Sequence, residues 1–284
     1  MLSPNRIGCP AGRPFSAVCL LLFLGLTAPN TPALCFVNPE NLVVTGPESK
    51  KAFDQLQASV DGCLSLKFDE QSGNIVCERN KKPNGHFVSM TKEGKRLAEL
   101  IDDHTVFVNI VASDSVVTST ERLSFGGSYL GNTFTGNYDY TDDPSIKIPV
   151  IITRQQVDPN TTRMISDYYG KPGADILHEI IESYMGGKYA QQTRIADTAG
   201  ILYYGYAHPN STPQSGPIYA RFLDSQERET SVASEVYYVD LYVKSGKQPE
   251  KLIRRLYKSD SMVASIGRSA HSRRAMPSSP PRSQ

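Results

Sequence analysis

Blocks of hydrophobic and polar residues alternate along the chain, and the spacing within each block predicts a different element. Residues 38–60 have helix-like spacing, and residues 91–102 form a predicted helix with a capping threonine and an apolar stripe. Residues 105–112 are almost continuously apolar and β-branched, which is typical of a central strand. Residues 146–152 form another predicted strand, which Pro149 places at a sheet edge because proline donates no ladder hydrogen bond.

The remaining segments are less regular. Residues 113–145 are rich in Ser, Thr, Gly, Asn and Tyr, a composition that fits either a long functional loop or an irregular hairpin. Residues 232–243 weakly favour a helix or a short strand, and residues 249–257 a short helix. Together the elements predict a single α+β domain over residues 36–256.

The N-terminus has the pattern of an export signal. Two arginines precede an apolar run over residues 15–26, and a small-x-small pattern ends at Ala33, which predicts a signal peptide over residues 1–33 and a secreted or periplasmic protein. A membrane anchor and a misassigned start codon are the alternatives, but the run would span only about 18 Å as a helix, short of a bilayer core. A lipoprotein attached through Cys35 is disfavoured, because a lipid-attachment site needs a small residue before the cysteine and Leu34 occupies that position. No stable membrane insertion is expected after signal removal.

Composition and charge narrow the classes of partner. The chain has 284 residues, 21% of them charged, and a net charge of +1, which suits a globular protein and excludes a collagen-like one. Both ends are basic, so the body between them is acidic, the wrong sign for a nucleic-acid groove. Residues 257–284 are rich in Ser, Pro and Arg and are predicted to be a disordered basic tail, either solvated or in contact with an anionic surface.

Three cysteines remain after signal removal. Cys63 and Cys77 flank a predicted hairpin, and export permits a disulfide between them. Closing this loop of about 15 residues would stabilise the fold by about 3 kcal/mol in the chain-entropy model. Two separate buried thiols are the alternative interpretation, and Cys35 has no assigned partner.

The segment with the clearest chemistry is a predicted helix from Pro172 to the Gly186-Gly187 pair. Its apolar residues cover one half of the helix, and His178 and Glu182 lie one turn apart at the edge of that half. Glu179 lies farther round, on the polar side. Two ligands one turn apart can bind one zinc ion, and the residue after the first can take a proton from a metal-bound water. The alternative is that both glutamates are solvated and that His178 is an ordinary boundary residue.

A catalytic zinc site needs a third protein ligand. His208 follows Glu182 by 26 residues, among turn-forming residues, and is a better candidate than His86, His104 or His271. An ordinary loop histidine is the alternative. Tyr206 beside it fits either stabilisation of a developing oxyanion or simple packing.

The sequence His178-Glu179-Ile-Ile-Glu182 resembles the H-E-x-x-H helix of the zincin metallopeptidases, with Glu182 in place of the second histidine. The wider phrase over residues 172–187 resembles uncharacterised bacterial secreted and toxin-associated zincin-like domains. This similarity extends loosely over residues 91–208 and includes the Gly126-Gly127 region.

The resemblance implies a zincin-like half-domain, a mixed sheet plus an active-site helix, with an N-terminal helix and hairpin as an extension. It also implies one Zn²⁺ per chain held by His178, Glu182 and His208, with Glu179 as the general base. The expected activity is hydrolysis of a protein or peptide substrate through a metal-activated water. A non-catalytic secreted binding module that retains this fold is the alternative.

Overall fold

A four-stranded mixed sheet and the helices packed on it form the centre of the fold. The computed structural model describes residues 41–139, 145–200, 202, 204–245 and 248–256. The strands are β1 (Leu42–Thr45), β2 (Leu64–Phe68), β3 (Ile75–Arg79), β4 (Val106–Ala112), β5 (Gly127–Asp139), β6 (Lys147–Val157), β7 (Ile218–Leu223), β8 (Tyr238–Ser245) and β9 (Gln248–Leu256). The helices are α1 (Ser49–Val60), α2 (Lys92–Asp102), α3 (Pro159–Tyr168), α4 (Ala174–Thr193) and α5 (Tyr204–Asn210).

The central sheet has the strand order β1-β4-β6-β5. Strands β1, β4 and β6 are parallel, and β5 runs antiparallel to β6 at one edge. Helix α4 packs against β4, β5 and β6 and also contacts α1, α2 and α3. The main hydrophobic core therefore surrounds α4, and the mixed sheet with several helices is compatible with the predicted α+β class.

Several local predictions are confirmed. The side chain of Thr91 accepts a hydrogen bond from the Gly94 amide at 2.9 Å and caps α2 as expected. Strand β4 lies between two others in the sheet, and β2 and β3 form the predicted hairpin. Among the described residues 41–60 of the segment predicted as a helix over residues 38–60, only those of α1 are helical. Its beginning instead forms β1, a four-residue strand too short for periodicity to reveal.

Neither alternative for residues 113–145 describes the second half of this segment, where Gly127–Asp139 form one long strand, β5, that pairs antiparallel with β6 beyond the segment. The edge position predicted for the following strand is wrong, since β6 lies between β4 and β5. Pro149 is tolerated there because pairing with β4 begins only at Ile151. The Pro149 carbonyl accepts a hydrogen bond from the side-chain amide of Gln191 in α4 at 2.8 Å. The N–H and C=O of one strand residue point to the same side, so the N–H that proline lacks would also point to this side, which β4 does not reach.

Helix α4, which carries His178 and Glu182, is longer than predicted. It begins at Ala174 rather than Pro172, and it continues through Gly186 and Gly187 to Thr193. A Cβ atom on Gly187 would lie 2.6 Å from a methyl carbon of Val106. These glycines therefore allow close approach of α4 to the sheet and do not end the helix.

A small antiparallel sheet, β7-β8-β9, follows the central one. The strand alternative for residues 232–243 is confirmed only for its second half by β8, since Ala233–Glu235 form a short 3-10 helix. The helix predicted over residues 249–257 is wrong. That segment pairs with β8, and Arg254 forms two hydrogen bonds to the buried carboxylate of Asp240, at 2.7 and 2.9 Å. Tertiary pairing thus overrides the local helical pattern.

The predicted disulfide between Cys63 and Cys77 is absent, and both residues are free thiols. Cys77 pairs with Leu66, whereas the carbonyl of Cys63 accepts a hydrogen bond from Asn80 at 3.0 Å. A three-residue offset along a strand corresponds to about 10 Å, beyond the roughly 7 Å that a disulfide allows between Cα atoms. The hairpin register therefore separates the two sulfurs.

Three predictions fall outside the described residues: the signal peptide over 1–33, the fate of Cys35 and the tail over 257–284. Within the part of the chain that is described, no helix has the length and apolar character needed to cross a membrane.

Candidate metal centre

Three side chains from two helices converge on one point. His178 and Glu182 lie on successive turns of α4, and His208 lies on α5. His178 Nε2 is 3.1 Å from His208 Nδ1 and 3.4 Å from a Glu182 carboxylate oxygen, and the same oxygen is 3.0 Å from His208 Nδ1. The arrangement predicted from the spacing of these residues in the sequence is therefore present.

This triangle has the dimensions of a metal site. Zinc binds histidine nitrogen and carboxylate oxygen at about 2.0–2.2 Å, so two ligand atoms of a tetrahedral site lie about 3.3 Å apart. The three observed separations, 3.0, 3.1 and 3.4 Å, are close to that value. His178, Glu182 and His208 could therefore hold a metal ion.

With a neutral His178 ring, the contacts within this cluster outnumber the protons available to them. His178 Nδ1 contacts the carbonyl oxygen of Thr212, which only accepts, so the proton of the neutral ring resides on Nδ1 and Nε2 presents a lone pair to the cluster. His208 Nδ1 contacts both His178 Nε2 and Glu182, yet it has at most one proton to donate. A cation among the three atoms would satisfy all of them at once.

The loop after α5 fixes the orientation of His178. Ser211 Oγ donates to the His178 carbonyl at 2.6 Å, and Thr212 supplies the carbonyl that binds Nδ1. Asp175, in the first turn of α4, accepts hydrogen bonds from the hydroxyls of Ser166 and Ser215 and from the Ser215 amide. This buried carboxylate therefore ties the loop to the helix that carries His178, an outer layer of the kind that tunes metal ligands.

Glu179 lies beside the cluster and is buried, in disagreement with the alternative that it is a solvated charge on a polar face. Only 7% of the residue is accessible, and its Oε2 accepts a hydrogen bond from Gln155 at 2.6 Å. A Cβ on Gly127 would lie 2.0 Å from the same oxygen, so a side chain at this position of β5 would displace the Glu179 carboxylate. Burial, reinforced by the negative charge of Glu182, raises the pKa of Glu179 to about 8.

The pKa of His178 is also raised. Burial alone would lower it, but the hydrogen bond to Glu182 and the negative charge of Glu179 outweigh that effect. The two carboxylates thus favour positive charge at this point, whether it is carried by a protonated imidazole or by a metal ion.

A cavity of about 640 Å³ opens onto the cluster. Its lining combines the chemically active side chains with apolar and aromatic ones from the segment before β5 and from β7. The lining includes Arg122, Leu123, Phe125, Tyr129, Ile218 and Phe222, together with Glu179, Glu182 and His208.

Two of the other histidines weighed as the third ligand lie elsewhere. His86 is in an exposed turn, and His104 contacts the side chain of Asn41. His271 lies outside the described residues. Tyr206 packs against the ring of Tyr189, at a centroid distance of 4.3 Å, and against the main core, in agreement with the packing alternative.

Residues that the sequence did not single out also shape the site, chiefly Gln155, Asp175 and Thr212. Gln155 is a fully buried amide in a strand of mainly apolar and β-branched residues, and its Oε1 has no hydrogen-bond partner. A polar side chain at an inward position of a buried strand was the available signal for it. Thr212 acts through its main chain, so its side-chain identity carried no signal.

Comparison with known proteins gives no relative from which a role could be transferred. A scan against protein-family models, a search of curated proteins and a search of solved structures each found no match for this chain.

Proposed function

We propose that this protein is an exported zinc-dependent peptidase whose metal is held by His178, Glu182 and His208. The observation that carries the proposal is the convergence of these three donor atoms within 3.0–3.4 Å of one another, beside the carboxylate of Glu179. When bound in such a site, zinc polarises a carbonyl and makes a water molecule acidic enough to act as a nucleophile near neutral pH. The zincin resemblance of the helix supports the same assignment.

Glu179 is assigned the proton transfers. Gln155 donates to its Oε2, which leaves Oε1 to take a proton from the attacking water and to return it to the leaving amine. A general base works best when its pKa lies near the working pH, and burial raises the pKa of Glu179 in the metal-free protein towards that range. Because Gly127 lies directly against this carboxylate, the start of β5 also restricts the access of bulk water to it.

A second candidate is a non-catalytic binding module that keeps the same fold. The burial of Glu179, with only 7% of its surface accessible, is the observation that favours it, because a general base must reach water and substrate. Such a module would keep the metal or the fold for binding a partner and would hydrolyse nothing.

The deciding experiment compares two variants of the full chain. Glu179→Gln keeps shape and hydrogen bonding but removes the basic carboxylate, so zinc content should stay near one per chain while hydrolysis of a protein substrate such as casein falls by at least roughly 100-fold. His178→Ala should lose the metal itself, as measured by mass spectrometry of the bound element. Glu99→Gln, on the exposed face of α2, is the matched control and should change neither property.

Two results would overturn the peptidase assignment. A wild-type protein that binds no zinc would remove the metal centre. A protein that binds zinc but cleaves nothing across a broad panel of protein and peptide substrates would favour the binding module.

A further inference from the structure

A single arginine is among the described residues that line the cavity beside the candidate metal ligands His178, Glu182 and His208. Among the described residues of the lining, Arg122 is the one permanent cation, and it shares the cavity with Glu179, Glu182 and His208. It lies in the segment before β5, separated in sequence from the helix that carries His178. Its position is therefore set by the fold and not by the motif.

The guanidinium of Arg122 is held in place by neutral groups. Nε donates to the hydroxyl of Thr120 at 3.2 Å, and Nη2 donates to the carbonyl of Tyr129 at 3.3 Å. In the part of the chain that is described, it has no carboxylate partner within ion-pair distance. Three of its five N–H groups remain available to a ligand.

The backbone around Arg122 is fixed as well. Its amide donates to the Thr118 hydroxyl at 3.0 Å, and its carbonyl accepts from the Thr118 amide at 2.9 Å. Glu121, just before it, adopts a left-handed conformation with φ 59°, which is uncommon for a residue with a side chain. The arginine is thus presented by a tight, hydrogen-bonded turn, and little conformational freedom would be lost when it binds a ligand.

Charge in the cavity points to the sign of that ligand. This step rests on the metal centre proposed above. With a divalent cation on His178, Glu182 and His208, the two glutamates can offset at most its two charges, so Arg122 leaves the cavity with a net charge of at least +1. Leu123, Phe125, Ile218 and Phe222 supply mainly apolar surface around it. A substrate carboxylate would neutralise the remaining charge and could bind Arg122 through two parallel hydrogen bonds.

We propose that Arg122 is a specificity-determining residue that binds a carboxylate of a peptide substrate. Two sources share this chemistry, the C-terminal carboxylate of a peptide and the side chain of an aspartate or glutamate residue. The flanking apolar residues would accept hydrophobic side chains next to that carboxylate. The preferred substrates are therefore peptides that combine a carboxylate with hydrophobic residues.

Binding tests this inference without depending on turnover. The Glu179→Gln protein, loaded with zinc, is titrated with a dansylated tetrapeptide of glycine, alanine, phenylalanine and leucine in three forms. One form has a free C-terminal carboxylate, one has a C-terminal amide, and one is amidated but carries glutamate in place of alanine. Charge-assisted hydrogen bonds predict that at least one carboxylate form binds about tenfold or more tightly than the plain amide.

The variant Arg122→Gln, made in the same Glu179→Gln background, should remove most of that preference, bringing the ratio of affinities to within about threefold of unity. Arg96→Gln, which removes the same charge from a partly exposed position on α2, should retain that preference. Preference for the free C-terminus identifies the end of the chain as the source of the carboxylate, and preference for the glutamate form identifies an acidic side chain.

Equal affinity for all three forms, or a preference that Arg122→Gln leaves intact, would overturn the role of Arg122. The proposed hydrolysis can fail separately. A wild-type protein that binds the carboxylate form through Arg122 yet cleaves no peptide would support this inference and contradict the peptidase.

Discussion

The imidazole of His178 is oriented by a main-chain group, because its Nδ1 contacts the carbonyl oxygen of Thr212 while its Nε2 lies 3.1 Å from His208 Nδ1. The contact connects α4 to the loop after α5 across 34 residues of sequence. Nδ1 thus fixes the orientation of the ring, and Nε2 faces Glu182 and His208.

This relationship predicts that Asp175 controls metal affinity without touching the metal. The carboxylate of Asp175 accepts hydrogen bonds from the hydroxyls of Ser166 and Ser215 and from the Ser215 amide. Asparagine has one acceptor oxygen fewer, so in Asp175→Asn the loop that carries Thr212 should be held less firmly. Loss of an outer-layer partner typically lowers metal affinity by about 10- to 100-fold, and we expect that range for zinc, measured by competition with a chelator.

The control for this prediction is Asp167→Asn on the exposed surface of α3, where the aspartate pairs with Arg163. Urea unfolding of the metal-free proteins, recorded in parallel, separates a loss of affinity from a loss of fold. Unchanged zinc affinity in Asp175→Asn would show that the loop does not position His178.

The part of the site that depends on local periodicity could be predicted from the sequence. His178 and Glu182 share a helix, and their i, i+4 spacing alone places them one turn apart. The ring-orienting carbonyl of Thr212, the amide of Gln155 and the guanidinium of Arg122 reach the site from distant segments. Their approach depends on sheet register and loop paths, for which a single sequence contains no periodic signal.

The same division applies to the fold. The capped helix α2 and the apolar strand β4 follow from local rules, and both were predicted. The errors concern residues whose role is set by a neighbour in space. Pro149 is tolerated inside the sheet because the pairing of β6 with β4 begins only after it. Gly187 lies inside α4 because Val106 and Thr153 leave no room for a side chain.

Close packing between α4 and the sheet predicts that Gly187→Ala destabilises the protein. Its Cβ would lie 2.6 Å from Val106 and 2.7 Å from Thr153, both buried. Alanine favours a helix by up to about 1 kcal/mol relative to glycine, but overpacking of a core typically costs about 1–3 kcal/mol, so we expect a lower free energy of unfolding. Urea unfolding should show this loss, whereas Gly62→Ala, which meets no atom within 4 Å, should change stability little. Equal stabilities of the two variants would contradict the packing role.

The hairpin register predicts that Cys63 and Cys77 are not bonded to each other. Cys63 is buried, and burial raises the pKa of the Cys77 thiol to about 11. At pH 8 only about 0.1% of such a thiol is the reactive thiolate, so native protein should be alkylated slowly at both positions. Peptide mapping after unfolding without reductant should find both cysteines alkylated. A linked pair of peptides would contradict the register.

Asp158 should make the stability of the fold depend on pH. It caps α3 by accepting hydrogen bonds from the amides of Asn160 and Thr161, yet burial, together with the negative charge of Glu48, raises its pKa to about 6. Its ordinary pKa is 3.8, so between pH 4 and 6 the folded state retains a proton that the unfolded state has lost. The contribution of Asp158 to stability should therefore fall as the pH rises through this window, by up to about 3 kcal/mol.

Asp158→Asn isolates this contribution, because asparagine keeps a capping oxygen but cannot ionise. The free energy of unfolding, measured in urea from pH 4 to 8, should be similar for variant and wild type near pH 4. The advantage of the variant should grow as the wild-type carboxyl ionises and level off above about pH 7, since by then the carboxyl is ionised in both states. Asp167→Asn, on the exposed surface of the same helix, should not reproduce this profile. A difference between Asp158→Asn and wild type that stays constant across the pH range would mean that Asp158 titrates alike in the folded and unfolded states, and that its burial does not control its ionisation.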